Sequence, residues 1–417
     1  MSTSADEGVI DSGRPRSLWR NSDFLLLWSG QAVSTTGTQV SSLALPLLVL
    51  ALLHSPAQAG FIAAVRAVPY LVFSLPAGAL IDRWDRKRVM ILCDAARCLV
   101  YGSVPLAYAL GRLTLVHLYA VALIEGTAFV FFNIAEVACL PRVVSAEHLP
   151  HANALTQSGE AAGYILGPGL GGFLIGLART TVAGAMLAYA ADAVSYLVSV
   201  ASLSVIRTPF QGDRTRGAAR SLRAEIAEGV RFLGAHARLR TLAALTLSIN
   251  VLFGPLTLVL VVLLRDDLHA DPRTIGLLFS LSSGGALAGA AVAPWAKGRL
   301  GFGQIIIGTT LLQAVGVAII AVAGSPPVIV VGGAFVFFTD PISNVASRSY
   351  RLSLIPDALQ GRVNSVYRLF ALGGTPLGTA VGGVLLGPLG PRVELWIIAS
   401  GVALSALAVG FTDVRQA

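Results

Sequence analysis

The chain has 417 residues, of which 55% are apolar and 12% charged, with a formal net charge of +8 and a mean hydropathy of +0.74. Soluble domains run nearer 25% charged, so a single water-soluble core and intrinsic disorder are both excluded. A membrane-crossing helix needs ~20 apolar residues, and twelve of them would use roughly 240.

Residues 1–23 are polar and hold no apolar core, so no cleavable signal peptide is expected. Apolar spans follow at 24–52, 56–80, 89–110, 114–138, 153–177 and 182–206. Short turns such as His54-Ser55-Pro56 separate them. The stretch 207–240 is the one long polar insert, with eight Arg against Asp213, Glu225 and Glu228. Ile226, Val230 and Leu233 recur there at helical spacing, which predicts an amphipathic helix on the inner membrane face. Spans resume at 241–264, 274–296, 302–323, 326–348, 363–388 and 391–411. The ~10-residue alternating segments of a membrane barrel are not visible. The expected fold is an all-α membrane protein of twelve transmembrane helices. Its divisions are a cytoplasmic tail 1–23, a bundle 24–206, a basic linker 207–240, a second bundle 241–412 and a tail 413–417.

With the N-terminus placed in the cytoplasm, the cytoplasmic segments carry 22 of the 30 basic residues. The outer loops carry only Arg112, Arg179, Arg265, Arg273 and Arg392. This is a strong positive-inside pattern. It places the chain in the inner or plasma membrane with both termini inside, and it explains the basic balance without nucleic acid.

The halves are related by a shift of 211 residues. Gly163, Gly167, Gly171 and Gly172 follow Asn153 at the same offsets as Gly374, Gly378, Gly382 and Gly383 follow Asn364. The same shift lays Asn133-Ile134-Ala135 over Asn344-Val345-Ala346. Two parallel six-helix repeats are a transporter architecture with the substrate site between the halves.

Two motifs carry more specific chemistry. The loop after the second span reads Gly78-Ala79-Leu80-Ile81-Asp82-Arg83-Trp84-Asp85-Arg86-Lys87-Arg88. Gly78 would let helices approach closely, and Asp82 would cap or pair at the membrane face beside a basic anchor. The fifth span carries Gly159, Gly163, Gly167-Pro168 and Gly171-Gly172, a small-residue face with a proline that permits a kink.

On these residues the chain resembles the major facilitator superfamily. Its signature loop Gly-x-x-x-Asp-Arg-x-Gly-Arg-Arg/Lys is similar to 78–88, with Asp85 where the general pattern has Gly. That Asp is similar to the enterobactin-exporter-like branch. The fifth span resembles the superfamily's Gly-x-x-x-Gly-Pro-x-x-Gly-Gly antiporter motif. Leu18–Phe24, Asp94 with Arg97, Leu140-Pro141-Arg142-Val143-Val144 and Gln360-Gly361-Arg362-Val363-Asn364 extend the likeness over almost the whole chain. The resemblance implies a latch at Gly78, Asp82, Arg83, Asp85, Arg86, Asp94 and Arg97, and secondary active export of a drug or siderophore-like compound. Two positions depart from it. Ala122 stands where many proton-coupled exporters carry Arg on the fourth helix, and Gly37-Thr38 stands where this branch often has Gly-Asp.

Six acidic residues inside spans are singled out: Asp94, Glu125, Glu136, Glu160, Asp192 and Asp340. Ionisable groups at such depth are costly and mark ion or substrate paths. Asp94 and Arg97 share a helix face at i,i+3, as a gate or structural ion pair or as a proton-transfer pair. Glu125, Phe129, Phe132 and Glu136 fall on one helical stripe, which either binds a lipophilic cation or aromatic ligand or packs on a neighbouring helix. Arg66 lies mid-span and needs a carboxylate or an anionic substrate; Glu125 matches its depth. Asp340-Pro341 is expected to interrupt its helix, as a hinge or as a plain kink. Glu125 and Asp192 are the first candidates for a proton carrier.

No phosphate-binding loop, nucleophile elbow or metal-ligand set is present, so no enzymatic chemistry, cofactor or metal is expected. The expected energy source is the proton motive force. The expected partners are a small-molecule substrate and the bilayer, with the chain a monomer. An importer or facilitator, or a transport-inactive scaffold or sensor, would share the same fold.

Overall fold

The computed structural model describes residues 18–81, 83–211 and 222–416. Asp82, residues 1–17 of the tail, residues 212–221 of the linker and Ala417 lie outside them. The first half is six helices: α1 Ser22–Leu53, α2 Pro56–Ile81, α3 Arg86–Ala109, α4 Leu115–Val143, α5 Leu149–Leu177 and α6 Thr181–Val205. A short helix, α7 Leu222–Ala235, follows. The second half comprises α8 Ala237–Asp267, α9 Pro272–Arg299, α10 Phe302–Ala321, α11 Pro326–Leu354 and α12 Asp357–Gly410. Local turns at Gly254-Pro255 and Gly284 punctuate α8 and α9.

Short polar side chains start these helices. Asn21 accepts from the Phe24 amide at 3.0 Å, Asp85 from Arg88 at 3.1 Å, Thr114 from His117 at 3.2 Å and Asp271 from Thr274 at 3.0 Å. Each satisfies an amide that the helix itself leaves open. Asp85, which departs from the family loop, is therefore the N-cap of α3.

Among the described residues, eleven helices are long and apolar enough to cross a membrane. The last is 54 residues, about 80 Å at 1.5 Å per residue, which exceeds twice the ~30 Å hydrocarbon thickness. Gly390, at φ 76°, divides it into two arms. The arms fold back on each other, since Gly382 of the first lies against the Glu394 carboxylate of the second. A positive φ is open to glycine without a Cβ penalty.

The repeat glycines play matching parts. A Cβ on Gly163 would meet Thr35 and Thr36, and one on Gly167 or Gly171 would meet Gln39 or Val40, so this face packs on α1. Gly374, Gly378 and Gly382 face Asn250, Val251 and Pro255 of α8 in the same way. The fourth glycine of each set turns to the opposite half. Gly172 crosses Gly276 of α9, and Gly383 crosses Gly60 of α2, with built Cβ-to-Cα distances of 2.8 and 2.9 Å. Ser280 adds a hydroxyl to the Gly169 amide at 2.8 Å, and Arg273 donates to the Gly176 carbonyl at 2.7 Å.

These crossings seal one end of the molecule. There a single apolar core runs through both halves, from Leu47, Ile62 and Ile175 to Leu258, Ile275 and Leu395. At the other end, which carries the 83–88 loop and α7, each half has its own core. Among the described residues, nothing lies within 4 Å of the Cβ that Gly78 lacks. The close approach expected at Gly78 is absent because the halves are parted at that end.

One further expectation is corrected. Asp340-Pro341 does not interrupt its helix: α11 runs through Pro341 to Leu354. The helix expected in the linker forms as α7, and it packs on protein. Leu233 is buried with Val363 and Tyr367, Gly229 meets Arg362, and Arg362 pairs with Glu228 at 2.5 Å.

Candidate functional site

A cavity of about 510 Å³ lies between the halves, walled by α1, α2 and α4 on one side and α8 and α12 on the other. Tyr70, Phe129, Asn133, Thr257, Arg368 and Thr375 line it, with Arg66 and Glu125 in the wall. The volume is that of a small-molecule site. Near its far end Arg368 donates to Asn133 at 3.3 Å and lies 5.8 Å from the centre of the Tyr70 ring, which links the halves across the cavity.

Behind this wall sits a buried charge network. Gly126 brings α4 against the Arg66 backbone, where any Cβ would collide. That contact lets the Arg66 guanidinium grip both oxygens of Glu125, with Nη2 donating to Oε1 at 3.1 Å. Arg97 reaches the same carboxylate at 3.7 Å and Asp94 at 3.3 Å. Ser199 donates to Asp94 at 2.5 Å and itself accepts from Gln31 at 3.2 Å. Arg97 is also surrounded by the Phe129, Phe132 and Tyr196 rings at 5.4, 5.4 and 5.2 Å. Two cations and two anions therefore share one water-excluded knot, with cation–π contacts completing it. Glu125 and Asp94 are wholly buried, while Arg66 is 33% exposed. The charge that this wall presents to the cavity is that of Arg66.

Asp192 has a different setting. It is wholly buried on α6, and both of its oxygens accept from hydroxyls, Ser41 at 2.5 Å and Ser195 at 3.0 Å. Among the described residues no cation lies within ion-pair distance. Gly37 leaves the room: a Cβ there would stand 2.6 Å from Asp192 Oδ1. Thr38, which stands where the resembled branch has Asp, shares a 2.9 Å hydrogen bond with Tyr196 instead.

The residues singled out in the sequence divide as follows. Arg66, Asp94, Arg97 and Glu125 come together. The stripe does not stay together: Phe129 faces the cavity, Phe132 is buried against Arg97, and Glu136 lines a separate cleft of about 150 Å³ with Gln31, Asn133 and Glu160. Asp340 accepts from Gln313 at 3.2 Å, away from the cavity. In the loop, Arg83 closes a turn on Leu80, Asp85 caps α3 and pairs with Arg88 at 3.7 Å, and Arg86 donates to the Ala138 carbonyl at 2.9 Å. Lys87 donates to the Ile206 carbonyl at 2.6 Å. Both cations meet helix-end carbonyls of their own half, the favourable place for positive charge.

Sequence reasoning passed over Tyr70, Arg368 and Glu394. Arg368 was visible as a third basic residue inside a span. Glu394 stands four residues from the Gly390 turn and reads as a loop-end residue, yet it is 2% exposed.

The sequence pattern of transmembrane secretion effectors matches residues 15–417. The multidrug efflux pump Tap of Mycolicibacterium fortuitum is 28% identical over 404 residues, covering 94% of each chain. The enterobactin exporter EntS of Escherichia coli O1:K1 / APEC is 24% identical over 393 residues, covering 93% of this chain and 90% of its own. Among solved structures, a mutant of the nucleoside transporter NupG superposes with a TM-score of 0.79 at 12% identity, covering 93% of this chain and 98% of that one, which establishes the shared fold. With the motif-bearing loop, the repeat glycines and the inter-half cavity, the match places this chain in the transmembrane secretion effector family of major facilitator transporters.

Proposed function

We propose that this protein is a proton-coupled exporter that moves small amphipathic compounds, drugs or siderophore-like metabolites, out of the cell by alternating access. The observation that carries the reading is the inter-half cavity, sealed at one end by paired glycine crossings and flanked by buried carboxylates. Relatives named for multidrug and enterobactin export support the direction. The reading assigns transport and no catalysis, to a chain acting as a monomer.

The basic end is assigned to the cytoplasm by the positive-inside pattern. The seal then lies outside, and the conformation is the inward-facing stage of the cycle. The cavity offers aromatic faces at Tyr70 and Phe129 and cationic donors at Arg66 and Arg368. That combination suits a substrate with an apolar or aromatic body and acceptor or anionic groups. In this reading the basic loop with Asp82 latches the halves when the cytoplasmic side closes.

Asp192 is the better proton carrier of the two sequence candidates. Serine hydroxyls can donate to a carboxylate or accept from a carboxylic acid, so both protonation states are satisfied in place. Glu125 is instead gripped by the guanidiniums of Arg66 and Arg97. Asp192 beside Gly37 also supplies a carboxylate where the resembled branch has one on the first helix.

The test is accumulation of lipophilic cations, macrolides and catecholate siderophores in an efflux-deficient bacterium expressing the protein. Lower accumulation that a protonophore restores is the expected result; unchanged accumulation of every compound overturns the reading. Asp192→Asn is expected to cut proton-driven export by about tenfold or more, within the usual range for a positioned proton-transfer group. Undiminished protonophore-sensitive export by this variant would move the proton site elsewhere. Arg368→Ala is expected to weaken binding of anionic substrates by about tenfold, the loss of one charge-assisted hydrogen bond. Its binding of neutral macrolides should change much less, as measured by ligand-induced fluorescence change in detergent.

A further inference from the structure

Glu394 is a buried carboxylate that the network above does not use. It is 2% exposed, and neither of its oxygens has a hydrogen-bond partner. It lies in the second arm of α12, against Gly382 of the first arm and near Pro255 at the turn in α8. The charged groups on the elements around it are engaged elsewhere. Arg392, two residues away, pairs with Asp267 at 3.1 Å and donates to the Ala321 carbonyl at 3.0 Å. Arg265 pairs with Asp266 at 3.6 Å. Helix α10 has no titratable residue, and the titratable residues of the first arm, Asp357, Arg362, Tyr367 and Arg368, stand in its starting turns, toward the basic end. Among the described residues no cation is within ion-pair distance of Glu394.

A buried carboxylate that no protein donor meets is far more costly as the anion than as the neutral acid. The position of Glu394 gives that proton a consequence. Gly382, which covers the carboxylate, is followed by Gly383, which makes the outer seal with Gly60. One turn back, Thr379 donates to the Gly254 carbonyl at 2.8 Å and lines the cavity. The seal, the cover of Glu394 and the cavity wall are thus one short stretch of α12.

We propose that Glu394 is a second proton-binding site, which must be protonated for the outer seal to close. Parting the seal takes α2 off Gly383 and frees the adjoining Gly382 cover to shift from Glu394, so that water reaches the anion. Closing the seal dehydrates the carboxylate, so closure takes up one proton from the outer side. This rests on the proton-coupled reading and gives it a physical step: proton uptake from outside drives the outward-facing form to the inward-facing one.

The test uses the full-length protein in lipid nanodiscs, with Cys93, Cys98 and Cys139 replaced by Ala. Spin labels at Leu53→Cys and Leu389→Cys span the outer mouth on either side of the Gly60–Gly383 crossing. For a closure linked to one proton, the open-to-sealed ratio should rise about tenfold per pH unit above the Glu394 titration. Glu394→Gln, a neutral side chain of the same shape, should hold the mouth sealed at every pH. Glu394→Asp should restore the pH dependence with a shifted midpoint, and it serves as the decisive variant where Gln fails to fold. A pH-independent mouth in the parent protein, or full pH dependence in Glu394→Gln, overturns the proposal. Protonophore-sensitive export together with a pH-independent mouth would remove this site and leave the exporter reading standing. A pH-dependent mouth with protonophore-insensitive export would do the reverse.

Discussion

Glu125→Ala is expected to destabilise the protein by about 3–5 kcal/mol, the penalty for leaving buried charge unpaired. Glu125 is the shared anion of Arg66 and Arg97. Without it Arg97, 5% exposed at its side chain, keeps only Asp94, itself bound to Ser199. Arg66 loses its carboxylate and can turn into the cavity, so most of the cost falls on Arg97. Thermal unfolding in detergent reads the effect directly. Adding Arg97→Met together with Asp94→Asn should recover a large part of the loss, because removing all the charges of a buried set is far less costly than removing one. A Glu125→Ala protein with the parent's unfolding temperature would mean that the knot is hydrated and contributes little. Export by Glu125→Ala should be absent at growth temperature for reasons of folding, which separates this residue from Asp192, where the neutral variant should fold and lose only the coupling.

Gly172→Val is expected to abolish export while leaving the protein folded. Gly172 faces the opposite half, where a Cβ would stand 2.8 Å from the Gly276 Cα and also strike the Pro272 carbonyl. Backbone cannot yield as a side chain tip can, so the outer seal cannot close. Separation of the halves relieves the clash, because Gly172 and Gly276 lie on different halves. Thr379 lines the cavity, so Thr379→Cys in a background without the native cysteines reports the state. Its labelling by a membrane-impermeant maleimide added outside should rise about tenfold or more in Gly172→Val, the ratio that corresponds to a population shift of ~1.4 kcal/mol. Gly171→Val is the contrasting neighbour. Its Cβ would stand 3.2 Å from the Val40 Cα of the same half, with the Val40 carbonyl at 2.9 Å. Overpacking there should cost about 1–3 kcal/mol of stability instead of locking a state. Equal phenotypes for the two glycines would refute the division of the motif into an intra-half face and an inter-half contact.

That division shows how the two levels of description meet. The four-residue spacing of Gly159, Gly163, Gly167 and Gly171 already marks a face for close helix contact, because 3.6 residues per turn fixes which residues share a side. The shift of 211 residues already pairs Gly172 with Gly383. Neither says that α1 receives the first face, or that Gly172 and Gly383 meet glycines of the opposite half. The same holds for the charges. The matched depths of Arg66 and Glu125 made them candidates for a pair, and Gly126 next to Glu125 was the local signal that α4 could come close enough. The shared grip of Arg97 on Glu125 had no signal along the chain.

Where expectation and structure part, the reason is rotation about a helix axis. Glu125, Phe129, Phe132 and Glu136 lie on one stripe, but α4 is flanked by α2 and α3, so residues separated by a few tens of degrees enter different surroundings. Asp340-Pro341 reads as a break, yet a membrane helix tolerates an internal proline, and α11 runs on through it. Glu394 reads as an end-of-loop residue, and only the folding back of α12 at Gly390 buries it.

Hydropathy, the excess of arginine on alternate loops and the glycine period are properties of the chain in one dimension, and they were enough for the membrane class, the spans, the expected orientation and the internal repeat. The tertiary structure decided which carboxylate meets which guanidinium, which end is sealed and which acidic group is left without a partner. Those facts depend on distances between helices set by packing, and positions along the chain do not encode them singly.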